Sequence, residues 1–280
     1  AVGGALARFW SEERRSALEL LRPASELALA RRDPWAMACF PLVPWSNRIR
    51  DGRFAFGPRT VSLAPNRPPD PHAIHGHGFQ TAWTVVDLAP ALAVLEHLHA
   101  PDTWPWSYRA VQRFTLTPER LALELALTNQ GDAAMPAGLG WHPYFPRTPE
   151  TTLRARVTGL WLTDSEVLPT ACVAPAPDRD PGRGLAVDRT VLDNAFVGWD
   201  GEAVITWPER QARLRLATTG PLGTLVVYTP PTQPFFCAEP VSHVTDAFNL
   251  AADGRTDTGM LTLAPGESVQ ATLTMTPEVA

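Results

Sequence analysis

The stretch Leu121-Ala122-Leu123-Glu124-Leu125-Ala126-Leu127 alternates a large apolar residue with a small or charged one along its whole length. Because successive side chains of a β-strand point to opposite faces, this period of two predicts a strand with one buried side. Residues 269–275 follow the same pattern, and residues 92–98, 213–216 and 224–228 resemble it. These five segments predict a fold built mainly from strands.

The proline content also favours short strands over helices. The chain has 29 prolines among 280 residues, about twice the usual share of ~5%, and they are spread throughout. We predict a helix only from Glu12 to Leu21, with Pro23 as its stop. Residues 174–184 are rich in Pro, Asp, Arg and Gly and predict an exposed loop rather than a domain boundary. The expected fold is therefore all-β, with residues 1–280 forming a single antiparallel domain of sandwich type.

Composition excludes several classes of function. The net charge is −5 and the chain contains no lysine, which argues against a nucleic-acid surface, Schiff-base chemistry and a phosphate-binding P-loop. The three cysteines are widely spaced and predict neither a disulfide framework nor a zinc cage. We expect a reducing, cytoplasmic location. With no apolar run of the ~20 residues that span a bilayer, we expect no membrane association.

A histidine flanked by aromatic residues is the first candidate for chemistry, in Gly140-Trp141-His142-Pro143-Tyr144-Phe145. Proline disfavours a helical conformation in the residue before it, so we expect His142 in an extended segment. An imidazole has a pKa of about 6.5 and can donate or accept a proton near neutrality. The neighbouring rings, Trp141 and Tyr144 among them, offer flat apolar surface to a sugar. A core histidine in an aromatic cluster explains this segment equally well.

A glutamate in a matching position is the second candidate. Glu239 precedes Pro240 at the end of the apolar run that begins at Phe235. Alternation along a strand places Cys237 and Glu239 on one face. Glu239 and His142 form a natural acid and base pair, whereas a glutamate at a strand end that points to solvent is the alternative.

Other polar residues fit a binding cleft less specifically. Asn47 and Arg48 follow a tryptophan, and a guanidinium can donate two parallel hydrogen bonds to neighbouring sugar oxygens. Asp193 could accept hydrogen bonds from hydroxyls or begin an Asx turn. His72, His75 and His77 suggest a metal site, but no carboxylate follows them at the spacing of such sites. One of these histidines as a hydrogen-bonding group in a polar cleft is the better interpretation.

Five segments in the same order make the chain resemble the aldose 1-epimerases, also called galactose mutarotases. The form of the histidine motif is similar to that of a bacterial subgroup with His-Pro-Tyr-Phe. The resemblance covers nearly the whole chain, and each segment is weak alone. The matching segments are residues 44–49 with 52–54, residues 74–76, residues 140–145, residues 192–194, and residues 238–240 with 246–249.

The resemblance implies a galactose mutarotase-like β-supersandwich with a sugar cleft. Members of the family normally begin with a leading strand, which we expect to be missing before Gly3. It implies Glu239 as general base and His142 as general acid, which together open the sugar ring and close it again to the other anomer. His75, Arg48 and Asp193 would bind the sugar. No cofactor or metal is implied; the expected partner is a small-molecule sugar, and the chain would be a monomer or a homodimer.

The protonation states of the pair follow from reference values. A glutamate with a pKa of about 4.3 should be ionised at neutral pH, and its charge should raise the pKa of His142 enough to make it a useful acid. Four alternatives remain open at this point. They are a non-catalytic carbohydrate-binding module, an epimerase of phosphorylated or sulfonated hexoses, a glycosidase that uses Glu239 with Asp193 or Asp246, and a metal enzyme.

Overall fold

The computed structural model describes residues 3–13 and 16–279. Strands dominate these residues, and no helix among them has the length and apolar character needed to cross a membrane. The strands are β1 (Trp10–Glu13), β2 (Ser16–Glu19), β3 (Cys39–Leu42), β4 (Arg48–Ile49), β5 (Arg53–Phe56), β6 (Arg59–Ser62), β7 (Ala73–Ile74), β8 (Thr84–Ala89), β9 (Leu92–His99), β10 (Tyr108–Leu116), β11 (Leu121–Asn129), β12 (Met135–Ala137), β13 (Gly140–Pro146), β14 (Thr152–Ala155), β15 (Gly159–Thr163), β16 (Pro169–Val173), β17 (Leu185–Ala186), β18 (Asp193–Val197), β19 (Glu202–Trp207), β20 (Ala212–Thr219), β21 (Thr224–Tyr228), β22 (Phe235–Val241), β23 (Leu261–Leu263) and β24 (Ser268–Val279). The α-helices are α1 (Glu26–Arg31) and α2 (Ala247–Ala252), and short 3₁₀ helices span Pro34–Ala36, Arg50–Gly52, Pro181–Arg183, Val187–Arg189 and Pro208–Arg210.

Two large antiparallel sheets make up most of the described residues. The nine-stranded sheet has the order β17-β14-β19-β20-β24-β11-β10-β9-β8, and the seven-stranded sheet has the order β16-β15-β18-β21-β22-β13-β3. Two-stranded pairs join β1 to β2, β4 to β7, β5 to β6 and β12 to β23. The prediction of an antiparallel β-sandwich is confirmed.

The alternating leucines lie at the centre of the larger sheet. Strand β11 pairs with β10 on one side and β24 on the other, and this register places Leu123 opposite both Phe114 and Leu273. Every second residue of β11 is buried, as its sequence pattern predicts. The same hydrophobic core contains Phe145 and Phe236 from the seven-stranded sheet. Burial of one face of each sheet therefore explains why these sequences alternate.

The other four predicted strands are also confirmed, as β9, β20, β21 and β24. Residues 174–184 form the expected irregular segment, which is largely exposed and contains only one short 3₁₀ helix. Strand patterning resumes in β17 and β18, as predicted.

The predicted helix from Glu12 to Leu21 is wrong, because strands β1 and β2 form an antiparallel hairpin there. The turn of this hairpin and the residues before Gly3, where a leading strand was expected to be lacking, lie outside the described residues. The backbone N–H groups of Leu20 and Leu21 donate to the carbonyl of Phe9, and both leucines are fully buried. A helix of this length is marginal by itself, so packing against the core decides the conformation.

Candidate active site

One face of the seven-stranded sheet carries a row of polar and aromatic side chains. In the register of β13, β22, β21 and β18, Tyr144 lies opposite Cys237, Cys237 opposite Tyr228, and Tyr228 opposite Asp193. Directly opposed residues of antiparallel strands project from the same face. The sheet therefore brings together residues that are up to 93 positions apart in the sequence, from Tyr144 to Cys237.

His142 and Glu239 face each other in the neighbouring row. Gly140 lies opposite Val241 and Tyr144 opposite Cys237, so the same register places His142 opposite Glu239. Nε2 of His142 is 3.4 Å from Oε1 of Glu239, and their side chains are only 7% and 3% exposed. Both residues lie in strands, as their positions before proline predict. The structure thus brings the two candidate proton-transfer groups together in one buried contact.

Burial shifts the two groups in opposite directions. Desolvation lowers the pKa of His142 to about 3, and the positive charges of Arg22 and Arg67 add to this effect. Desolvation also raises the pKa of Glu239 well above its ordinary value, with a further contribution from Asp193. The expected upward shift of His142 is wrong, because loss of solvent outweighs the attraction of one carboxylate.

Both shifts have one consequence for the pair as a unit. A neutral histidine beside a protonated glutamate carries one proton, and so does an imidazolium beside a carboxylate. Both states have no net charge, and burial favours them over a pair with two protons or none. Burial therefore favours a pair that holds a single proton, on either of the two groups.

Tyr144 fixes the ring of His142. The two rings are stacked, with centroids 4.6 Å apart and an interplanar angle of 20°. The guanidinium of Arg22 lies over the Tyr144 ring at 3.8 Å from its centroid and donates a hydrogen bond to the carbonyl of Met37. This cation on an aromatic face restricts the tyrosine and, through it, the orientation of the imidazole.

His75 presents a neutral imidazole to the same site. The backbone N–H of Asn47 donates to Nδ1 of His75 at 3.1 Å, so the ring carries its hydrogen on Nε2. Burial and the nearby His142 lower the pKa of His75 well below its ordinary value. Asn47 and His75 both have positive φ angles, 53° and 68°, which non-glycine residues rarely adopt. Such backbone strain is typical of residues held in place for function.

Arg48 is held between carboxylates at the rim of the site. Its Nε donates to Asp70 at 3.1 Å, and its Nη1 lies 3.7 Å from Asp193. Burial raises the pKa of Asp193, while Arg48 opposes that shift. The backbone N–H of Arg48 donates to the side-chain oxygen of Asn47 at 2.8 Å. These contacts fix the guanidinium, so its remaining N–H groups can meet a ligand at little entropic cost.

Asp246 and Asn249 belong to the last of the matching segments. They hold the backbone around Arg48 and Arg50 in place. The backbone N–H of Asp246 donates to the carbonyl of Arg48, and its carboxylate accepts hydrogen bonds from the backbone of Arg50 and the side chain of Asn249. Asp246 does not line the cleft beside His142 and Glu239. Its contacts are those of a structural residue, which weakens the glycosidase alternative that pairs it with Glu239.

These groups line a single cleft of about 390 Å³, open solvent at its mouth included. The lining contains seven of the residues expected from the sequence: Asn47, Arg48, His75, His142, Tyr144, Asp193 and Glu239.

The sequence did not indicate four other lining residues: Trp35, Arg67, Ile74 and Tyr228. Trp35 lies in a 3₁₀ helix, where a capping aspartate followed by proline was a local signal for a turn but not for a site. Tyr228 ends a predicted strand, and only its pairing partner, Asp193, connects it to the site. Arg67 lies in an exposed proline-rich loop that carries no motif.

Trp141 is the expected binding residue that the structure places elsewhere. It is 1% exposed, belongs to the hydrophobic core and does not line the cleft. The alternation of β13 explains this, because His142 and Tyr144 share one face and Trp141 projects from the other. The aromatic side chains that line the cleft are those of Trp35, Tyr144 and Tyr228 instead.

The three histidines that suggested a metal site do not converge. His72 accepts a hydrogen bond from the backbone of Asp51 through Nδ1, and His77 stacks on His99 with centroids 5.1 Å apart. Neither lines the cleft that contains His75. In the part of the chain that the structure describes, the one group of three close metal-binding side chains consists of His142, Cys237 and Glu239.

Comparison with known proteins gives a consistent result. The sequence model of a family described as aldose 1-epimerase matches residues 1–276. The Escherichia coli K12 protein YphB, itself uncharacterised, is 32% identical over 286 residues, which cover 99% of this chain and 93% of YphB.

Solved structures agree with this match. A crystal structure from Escherichia coli K12, described provisionally as an aldose 1-epimerase, has a TM-score of 0.88 and 31% identity and covers 99% of this chain and 94% of that one. A galactose mutarotase-like protein from Clostridium acetobutylicum has a TM-score of 0.85 at 20% identity, over 100% of this chain and 90% of that one. The second likeness concerns the fold alone.

Proposed function

Because the chain belongs to the aldose 1-epimerase family, we propose that it is an isomerase that interconverts the α and β anomers of an aldose. One observation carries this proposal above the others. His142 and Glu239 are buried, lie 3.4 Å apart between Nε2 and Oε1, and line one cleft together with hydrogen-bonding side chains. Anomer exchange needs one group that takes a proton and one that gives a proton, and this pair supplies both.

The reaction begins with the pair in its charge-separated state. The carboxylate of Glu239 removes the proton of the anomeric hydroxyl, while the imidazolium of His142 protonates the ring oxygen. The bond between the anomeric carbon and the ring oxygen breaks, and a free aldehyde forms. Rotation about the bond between the first and second carbons exposes the other face of the carbonyl. The ring then closes with the two proton transfers reversed, which yields the opposite anomer and restores the pair.

The energetics require no further catalytic group. A well-placed proton-transfer group contributes about 10²–10⁴ in rate, so two together give about 10⁴–10⁸ before positioning is included. Mutarotation already proceeds in water, so this acceleration is ample. The net-neutral pair also avoids a buried net charge at every stage of the cycle.

The remaining lining residues suit the binding of hydroxyl groups. His75 offers its Nε2–H as a donor, Arg48 offers its free N–H groups, and Asp193 offers carboxylate oxygens as acceptors. Asn47 positions the first two through its backbone and side chain. Tyr144 lines the same cleft, with its ring packed against His142 and Arg22. Each of these roles follows from the contact that fixes the side chain in the cleft.

An anionic aldose, with a phosphate or sulfonate group, is the second candidate substrate. Arg67 lines the cleft, is exposed, and has no carboxylate partner within 4.0 Å among the described residues. Its guanidinium contacts the ring of Trp35 and the side chain of Tyr228, and its planar fork matches phosphate or sulfonate oxygens, which favours an anion on the ligand. Product analysis on a glycoside separates both epimerase candidates from a glycosidase, since only a glycosidase cleaves the glycosidic bond.

Saturation-transfer NMR on anomeric protons tests activity and substrate class together. The panel contains neutral, phosphorylated and sulfonated aldoses, each measured with and without the protein. We expect exchange between α and β signals to accelerate for at least one class. Absence of acceleration across the panel, with binding detected by line broadening, would instead support a non-catalytic carbohydrate-binding module.

Location and assembly remain predictions. Cys39, Cys172 and Cys237 are free thiols, which supports the expected reducing, cytoplasmic location. Monomer and homodimer remain the two expected states, and sedimentation at several concentrations distinguishes them.

A further inference from the structure

A buried thiol beside the proton-transfer pair has no role in the mechanism above. Cys237 is fully buried and lies on the same face of β22 as Glu239. One ligand atom each from His142, Cys237 and Glu239 lies within 4.8 Å of the other two. Burial and the charge of Glu239 raise the pKa of this thiol well above its ordinary value, so it is protonated at neutral pH.

One carboxylate oxygen at this point has unused capacity for a ligand. Oε2 of Glu239 is buried and has no hydrogen-bond partner among the described residues. An unsatisfied buried polar atom costs roughly 1–3 kcal/mol, so a partner that satisfies it is favoured. Glu239 and His142 both line the cleft, which gives a small ion a route to them.

We propose that His142, Cys237 and Glu239 form a binding site for a thiophilic divalent cation of the Zn²⁺ class, and that its occupation blocks the proton-transfer pair. The site itself rests on this geometry alone. The inhibition that follows from it rests on the proposed function.

The donor set and spacing suit such an ion. Zn²⁺ binds cysteine sulfur, histidine nitrogen and carboxylate oxygen at about 2.0–2.3 Å in tetrahedral geometry, which separates its ligands by about 3.3–3.8 Å. The 3.4 Å between Nε2 of His142 and Oε1 of Glu239 falls in that range. The ligand atom of Cys237 lies within 4.8 Å of the other two, so it must approach them by up to about 1 Å to complete such a site.

Charge and proton balance also favour the ion. A thiolate and a carboxylate neutralise the two positive charges, and the histidine is neutral, so the filled site has no net charge. A cysteine binds metal as the thiolate, so binding expels the thiol proton and the affinity should rise with pH.

Cobalt spectroscopy tests the site without any activity measurement. Co²⁺ replaces Zn²⁺ in such sites and gives a thiolate-to-cobalt charge-transfer band in the near ultraviolet. The wild-type chain without a polyhistidine tag should show this band at one equivalent, with proton release into weak buffer. Cys237→Ser and Cys237→Ala should lose the band, and Glu239→Gln should weaken binding by about 100-fold or more.

Cys172→Ser is the matched control, because Cys172 is the exposed cysteine and offers the obvious adventitious thiol. This variant should keep the full band. A wild-type protein without the band, or a band lost in Cys172→Ser and kept in Cys237→Ser, overturns the site. Melting temperatures without metal identify any variant that fails to fold. Because Cys237 is replaced by two different residues, one folded variant is enough for the test.

A second measurement connects the site to activity. Zn²⁺ at one equivalent should reduce anomer exchange by the wild type at least tenfold, whereas Cys237→Ser should remain active and insensitive to Zn²⁺. A wild type that binds Co²⁺ through Cys237 but never accelerates anomer exchange keeps the metal site and refutes the proposed function. An enzyme that accelerates anomer exchange but lacks the cobalt band keeps the proposed function and refutes the metal site.

Discussion

The single proton held by His142 and Glu239 makes the pH dependence of catalysis a sharp prediction. Mutarotation requires the pair in its one-proton form, because two protons remove the base and none removes the acid. If the two groups titrated as in water, with pKa values of about 4.3 and 6.5, this form would prevail only between those values. Burial disfavours the charged forms on both sides and should widen the window.

The expected widening is large enough to measure. Desolvation lowers the pKa of His142 to about 3, so at about pH 4 roughly nine-tenths of the pairs keep a single proton. The raised pKa of Glu239 moves the alkaline limit upward in the same way. At about pH 4 we therefore expect a rate within about twofold of the maximum, and the loss on the alkaline side should begin above the solution value of about 6.5. Groups with solution values would lose about tenfold at pH 7.5 and about threefold at pH 4.

The assay is saturation-transfer NMR at a saturating concentration of the accepted aldose, with the enzyme-free rate subtracted at each pH. A melting curve at each pH separates loss of fold from loss of protonation. A bell centred between pH 4.3 and 6.5, with tenfold loss per pH unit on either side, would refute the inference that burial stabilises the net-neutral pair.

Three further predictions concern binding and stability. Arg48→Met should raise the KM for the sugar at least tenfold with little effect on kcat, whereas Arg50→Ala, whose side chain is 46% exposed and lies outside the cleft, should leave KM within about twofold in the same assay. Trp35→Ala should raise KM several-fold. Trp141→Phe should leave KM unchanged and lower the free energy of unfolding by about 1–3 kcal/mol in denaturant titrations. A KM that changes in Trp141→Phe but not in Trp35→Ala would contradict the placement of these rings. Gly76→Ala should lower stability by at least about 2 kcal/mol, because φ is +72° and a Cβ atom would lie 2.1 Å from a backbone carbonyl oxygen, and an unchanged melting temperature would contradict that geometry.

Local patterns were enough to predict most of the fold. The leucines of residues 121–127 lie every second position in a half-buried strand, and prolines after His142 and Glu239 hold both residues in extended conformation. These signals depend on a few neighbouring residues, so the sequence carries them. The hairpin at residues 10–19 has no comparable signal, because its conformation depends on where Leu20 and Leu21 enter the core.

The candidate site was predictable only in part, since its residues meet through the sheet. Strand alternation correctly paired Cys237 with Glu239, and the same rule applied to β13 would have directed Trp141 away from His142. Trp35 and Arg67 reach the cleft from separate loops, and no spacing along the chain indicates that. The direction of the His142 pKa shift depends on its loss of solvent, which a sequence does not reveal.

The central claim, that Glu239 and His142 transfer the protons of ring opening, is tested most directly by anomer exchange in Glu239→Gln. Glutamine keeps the size and hydrogen-bonding capacity of the side chain but cannot take a proton. Measured by saturation-transfer NMR beside His142→Asn, both variants should keep the wild-type melting behaviour and bind the sugar, yet lose about 10²–10⁴ of the catalysed rate. A Glu239→Gln variant that is folded and exchanges anomers at near wild-type rate would contradict the account.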